Sequence, residues 1–174
     1  MRAAIALLAL SPGIATAADA VTDTTVCQIA SHPLDYAGKM VRIRGRIVIA
    51  FEQFELSAAG CKPAIPDMIW LEYGRGPKRQ PTIWCCGDLA SHDPIAVIQD
   101  GNFTKFDRYL TAKTGRRNSY EVTATLTGRL DTAASADSSQ RCAGGFGHVG
   151  RACSRVVIQS VADVVARYVR DPSK

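Results

Sequence analysis

One segment limits the fold more than any other. From residue 39 to 50 the chain reads Lys-Met-Val-Arg-Ile-Arg-Gly-Arg-Ile-Val-Ile-Ala. Val41, Ile43, Gly45, Ile47 and Ile49 fall on one side, and Arg42, Arg44 and Arg46 on the other. That period of two is the pattern of a strand with one face on a core and the other in water. A glycine inside it predicts a bend or bulge, and a long first strand with a central glycine suits a small closed barrel.

Four further strands are expected. Residues 51–56 form the return, and residues 68–73 are rich in the branched and aromatic side chains that strands favour. Residues 120–130 alternate, with Val122, Ala124, Leu126 and Leu130 inward, and residues 155–161 run on into 162–165. A short extra strand is expected near 95–98. Phe103, Phe106 and Leu110 recur at helical spacing and predict a helix over 103–113, closed by Gly115. A shorter helix is expected at 25–30, capped by Thr24 or Thr25 and stopped at His32-Pro33, because the residue before a proline avoids the α region. Residues 57–66, 74–81 and 131–141 read as loops. The expected fold is therefore mainly β: a small five-stranded barrel, a short N-terminal helix, and one helix between strands 3 and 4. This is the order of the oligonucleotide/oligosaccharide-binding (OB) barrel.

Residues 27–45, Cys-Gln-Ile-Ala-Ser-His-Pro-Leu-Asp-Tyr-Ala-Gly-Lys-Met-Val-Arg-Ile-Arg-Gly, sharpen the comparison. A short helix and a His-Pro-x-x-Tyr-x-Gly-Lys turn lead into a Val-Arg-x-x-Gly strand. This opening resembles that of a family of uncharacterised exported bacterial proteins of OB-like build. Residues 120–125, 145–148 and 157–161 are similar to it too, so the likeness covers about a third of the chain beyond residue 17. It implies the fold and an exported location and carries over no activity.

Residues 1–17 fit export. Arg2 precedes the apolar run 3–10, and Ala15-Thr16-Ala17 follows, the order of a cleavable secretory signal. The run is too short for a bilayer core that needs about 20 residues, and no later segment is more apolar, so no integral membrane segment is expected. A single domain is expected over 18–174, periplasmic or secreted. The six cysteines, Cys27, Cys61, Cys85, Cys86, Cys142 and Cys153, all lie beyond that signal and read as disulfides in an oxidising compartment. Cys142 and Cys153 bracket a glycine-rich stretch, and a bridge there would be worth on the order of 3 kcal/mol. Cys61 with Cys85 or Cys86 is the second expected pair, since neighbouring Cys85 and Cys86 would close a strained ring.

Few motifs carry chemistry. Cys61, Cys85, Cys86 and His92 lack metal-ligand spacing, and Asp88, His92 and Asp93 are merely close in sequence. Residues 144–150 lack the Gly-Lys-Ser/Thr ending of a phosphate loop, so His148 is expected to be structural. No catalytic residue, metal or cofactor is expected. The best candidate is the stripe Arg42, Arg44 and Arg46 beside Phe54, Trp70 and Tyr73, with Arg75, Lys78 and Arg79 as an extension. Cations that hold an anionic chain beside rings that stack would make a polymer-binding groove. The expected function is a non-enzymatic binding module of the cell envelope for an anionic ligand: a polysaccharide, a lipid headgroup region or extracellular nucleic acid. The net charge of +5 is mild for a nucleic-acid binder. A structural or protein-interaction module with an envelope partner is the alternative, and an enzyme is third. Exposed aromatics beside the arginines would favour the groove, and buried ones the interaction module. His92, His148 and a carboxylate in one cleft would favour the enzyme.

Overall fold

The computed structural model describes residues 20–50, 52–61, 68–76, 94–114, 117–118, 120–134, 142 and 144–169. The expected signal at 1–17 and Phe51, Lys78, Arg79, Cys85, Cys86, Asp88, His92 and Asp93 lie outside these residues.

Strand β1 (Thr22–Thr24) leads into helix α1 (Val26–Ser31) and a 3-10 turn at Pro33–Tyr36. Thr25 is the cap: its hydroxyl accepts from the Gln28 amide, and the Gln28 side chain accepts from the Thr25 amide. Two of the free donors of a short helix are thereby satisfied reciprocally. The barrel then follows as β2 (Met40–Ala50), β3 (Gln53–Leu56), β4 (Ile69–Tyr73), β7 (Tyr120–Thr132) and β8 (Ser154–Tyr168). Helix α2 (Gly101–Thr111) and a small hairpin, β5 (Lys113–Thr114) with β6 (Arg117–Asn118), lie between β4 and β7.

Neighbours run β2-β3-β4-β8-β7, and β7 pairs back onto β2 to close the barrel. Only β4 and β8 are parallel among these five strands. The first strand thus pairs with the second and fourth, and the third with the fifth, so the chain is a closed, OB-like barrel of mainly β structure. The inner positions of β2, Val41, Ile43 and Ile47, are buried with Leu71, Val122, Leu126 and Ile158, as the alternation requires. Helix α2 caps its first turn with Asp100, whose carboxylate accepts from the Phe103 amide at 2.8 Å, and sends Phe103, Phe106 and Leu110 into the core.

Several expectations shift. Helix α2 ends at Thr111 rather than near Gly115, because Ala112 turns extended (φ −70°, ψ 120°). At 95–98 a single parallel bridge joins Ala96 to Arg75, with no full strand. Asp131 and Thr132, expected in a loop, continue β7 opposite Arg155 and Ser154. The last strand runs unbroken to Tyr168, past the expected 165. Gly45 marks no bulge, since β2 keeps its register with β7 from Met40 to Ile47. It is small because of crowding: a Cβ there would lie 2.7 Å from Leu56 Cδ2 and 3.2 Å from Val26 Cγ2. Among the described residues two disulfides are present, Cys27–Cys61 and Cys142–Cys153. The second matches its expectation; the first does not. Cys61 bonds to Cys27 rather than to Cys85 or Cys86, because α1 packs Val26 towards Leu56 and so carries Cys27 to the start of the β3–β4 connection.

Gly45→Val is expected to lower stability by about 1–3 kcal/mol through overpacking, with the loss visible as a lower denaturant midpoint at an unchanged slope. An unchanged midpoint would show that α1 and Leu56 give way freely.

Candidate functional site

The six expected ligand residues do not share a surface. Phe54 and Tyr73 are fully buried. Their rings meet edge to face at 5.4 Å, and Tyr73 packs on Phe103 at 5.1 Å with its hydroxyl 3.4 Å from Asp107 Oδ1. Burial, then the Asp107 charge, pushes the Tyr73 hydroxyl far above its ordinary range. These rings join the barrel to α2 and lie within the core rather than on its surface. The arginines do line the outer side of β2, but each has an acidic neighbour: Arg42 with Asp23 at 3.1 Å, Arg44 with Asp163 at 3.9 Å, and Arg46 with Glu121 at 3.3 Å. The half-exposed stripe is locally neutralised by acids from β1, β7 and β8.

Trp70 is different. It lies at 3% exposure, yet on the outer face of the barrel, because parity along β4 sends Trp70 and Glu72 one way and Ile69, Leu71 and Tyr73 the other. What covers it is the connection between β7 and β8. That segment is closed by Cys142–Cys153, and Phe146 and Ala152 exchange backbone hydrogen bonds of 2.7 and 3.0 Å. Gly147 (φ 73°) rests directly on the indole, where any Cβ would collide with the ring. The glycine-rich stretch is thus a tied loop shaped to lie on Trp70.

Buried charge fastens it. Arg155 of β8 is 9% exposed; it donates to Glu72 at 2.9 Å and to Asp131 at 2.6 Å, and its guanidinium stands 4.7 Å from the centre of the Phe146 ring. Asp131 also accepts from Arg129 at 2.7 Å. Burial raises the Asp131 carboxyl, but the hydrogen bonds from Arg129 and Arg155 outweigh it and hold the group below its ordinary 3.8.

Beside this network the loop, β3 and β4 enclose a cavity of about 260 Å³ lined by Glu52, Gln53, Met68, Trp70, Phe146, His148 and Arg151. Within that lining His148 Nδ1 is 2.8 Å from Glu52 Oε2. Glu52 (φ 57°) and Val149 (φ 51°) both hold left-handed backbone, a strained state for side-chain-bearing residues that gathers at functional sites. Next to Trp70 across the β3–β4 ladder sits Glu55, buried, with Oε2 lacking a hydrogen-bond partner among the described residues. Burial pushes its carboxyl above the ordinary 4.5, and the positive charge of Arg151 pulls it part of the way back. Arg151 itself has no hydrogen-bonded or ion-paired carboxylate among the described residues, unlike the stripe arginines.

Of the expected ligand residues, then, Trp70 alone reaches this site. His148 pairs with Glu52 and so shares the cleft with a carboxylate, while His92 lies outside the described residues. Cys61 is consumed by its disulfide. Among the described residues no group of three His, Cys, Asp or Glu is placed to hold a metal, and no helix is long and apolar enough to cross a membrane. Residues 52, 53, 55, 68, 146 and 151 were not singled out from sequence. The available signal was the cysteine-bracketed loop, which falls on the connection between the fourth and fifth barrel strands. No family model, curated protein or solved structure matches this chain.

Because Glu55 binds its proton more tightly when folded, its contribution to stability falls as pH rises from about 4.5 through the raised pKa. Glu55→Gln removes that fall. The variant is expected to gain on the native protein steadily between pH 4 and pH 7 in urea-unfolding measurements, and a pH-independent difference would contradict the assignment.

Proposed function

We propose that this protein is an exported, non-enzymatic OB-type module that binds an anionic ligand in the cell envelope, with the loop-covered cavity on β3 and β4 as its seat. The observation that carries the reading is Arg151: an exposed guanidinium with no paired carboxylate among the described residues, lining a cavity of mixed polarity. OB barrels bind their ligands on the face of the second and third strands, between the loops joining strands 1–2 and 4–5. Here those are β3, β4, the turn bearing Glu52, and the Cys142–Cys153 loop. Two disulfides fit an oxidising compartment, and residues 1–17 serve in this reading as the export signal, with a periplasmic or secreted destination.

Among anionic ligands, nucleic acid is the least favoured. A phosphodiester chain draws its affinity from several phosphates neutralised together, whereas Arg42, Arg44 and Arg46 already face acids. A protein-interaction module is the second reading. It is favoured by the buried expected aromatics and by the exposed Val165, Tyr168 and Val169 at the end of β8.

The test is titration of the oxidised protein, residues 18–174, with a panel of acidic polysaccharides, anionic lipid vesicles and single-stranded DNA across a salt series. Arg151→Gln is expected to weaken binding by about 10-fold or more, the scale of a lost charged hydrogen bond. A triple Arg42/Arg44/Arg46→Gln variant should change chiefly the salt dependence. Equal binding by Arg151→Gln and the native protein would overturn the seat, and loss in the triple variant alone would return the ligand to the stripe.

A further inference from the structure

Resting on that seat, we infer that the ligand presents a carboxylated sugar unit, a uronic-acid-like ring whose carboxylate meets Arg151 and whose hydroxyls meet Gln53, Glu52 and His148. The charge count sets the first limit. One guanidinium without a paired carboxylate lines the cavity, while Glu52 stands on its wall and Glu55 is adjacent. A bare sulfate or phosphodiester group offers acceptors alone, so it would satisfy Arg151 and leave the Glu52 carboxylate unmatched, whereas a carboxylated sugar brings hydroxyl donors to it. The planar fork of an arginine matches a single carboxylate through two parallel hydrogen bonds.

The remaining polar walls set the second limit. Gln53 both donates and accepts, and Glu52 keeps one oxygen beyond its 2.8 Å contact with His148. Such a mixed set suits hydroxyls, which donate and accept at once. Met68, Trp70 and Phe146 supply apolar surface for the carbon-bound hydrogens of a ring. Size sets the third limit. At about 260 Å³ the cavity falls below the roughly 300–1,000 Å³ typical of pockets for drug-sized ligands, so it takes one ring-sized unit, with a polymer continuing out of its mouth. A peptide carboxylate fits less well. Peptides commonly add to a sheet by extending an edge strand, and β3 and β4 are interior strands of a closed barrel.

The test is a set of NMR titrations of the full oxidised protein, read at the Trp70 indole and the amides of residues 144–151. The probes are glucuronic and galacturonic acid with their short oligomers, the corresponding neutral hexoses, inorganic phosphate, adenosine monophosphate, and an acetylated tripeptide with a free carboxylate. Uronates are expected to shift the pocket signals saturably, with the neutral hexoses weaker by about 10-fold or more. Arg151→Gln should bring the uronates down to the level of the neutral sugars. Pocket binding of phosphate, nucleotide or peptide in preference to uronates would overturn the sugar assignment and leave the anion seat standing. Hexoses binding as well as uronates would overturn the role of the carboxylate. Absence of any response in the pocket would overturn the seat itself.

Discussion

Arg155 holds the outer half of this molecule together. Its guanidinium is buried between Glu72 of β4 and Asp131 of β7, with the ring of Phe146 against it. The backbone of β8 already pairs with β4 and β7; the guanidinium ties outward side chains of those two strands together and adds the loop that returns to the fifth strand. A guanidinium taken out of water is costly unless its hydrogen bonds are met, and removing one member of such a set strands the others. The network therefore acts less as added stability than as a constraint that gives the loop one position on Trp70. The cavity follows from that position, because Phe146, His148 and Arg151 of its lining are loop residues and the others belong to β3, β4 and the residues just before each strand.

The inside and outside of the barrel are solved by different physics. Within, Phe54, Tyr73, Phe103 and Phe106 pack as aromatic edges and faces between the strands and α2, and the cost of error there is a cavity or a clash. Outside, β4 is covered on both faces, so every residue from Ile69 to Tyr73 is buried. The outward members are a tryptophan and a glutamate rather than two aliphatic residues. An ion network and a tied loop over a strand pair make a recess with mixed polarity, which is the character that ligand sites share.

The barrel was legible because its strands are one-sided. Residues 39–50 and 120–130 alternate so regularly that their faces follow from parity alone, and the order of five strands with a helix before the fourth carried the expectation of a mainly β, OB-like barrel. The site was not legible, for three physical reasons. Burial on both faces erases alternation in β4, so Trp70 and Tyr73 look equivalent although an odd spacing sends them to opposite sides. The partners of the arginine stripe, Asp23, Glu121 and Asp163, come from distant parts of the chain, and local charge counting sees the cations alone. Cys61 had several candidate partners at sequence level, and its bond to Cys27 depends on where α1 lies on the barrel. The glycine-rich stretch was read correctly as closed by Cys142 and Cys153, but nothing local to it reveals the indole beneath Gly147.

Amide hydrogen exchange tests most directly whether the tied loop is a formed wall of the site. It would be read at Phe146 and Ala152, which bond each other across the loop, and at Leu71 in the barrel. The account predicts slow exchange at all three positions in the oxidised protein. In a Cys142→Ser/Cys153→Ser variant it predicts loss of protection at Phe146 and Ala152, with Leu71 kept protected. Unprotected exchange at Phe146 and Ala152 in the intact protein would contradict it, since a loop that opens freely leaves Trp70 uncovered and Arg151 without a cavity to line.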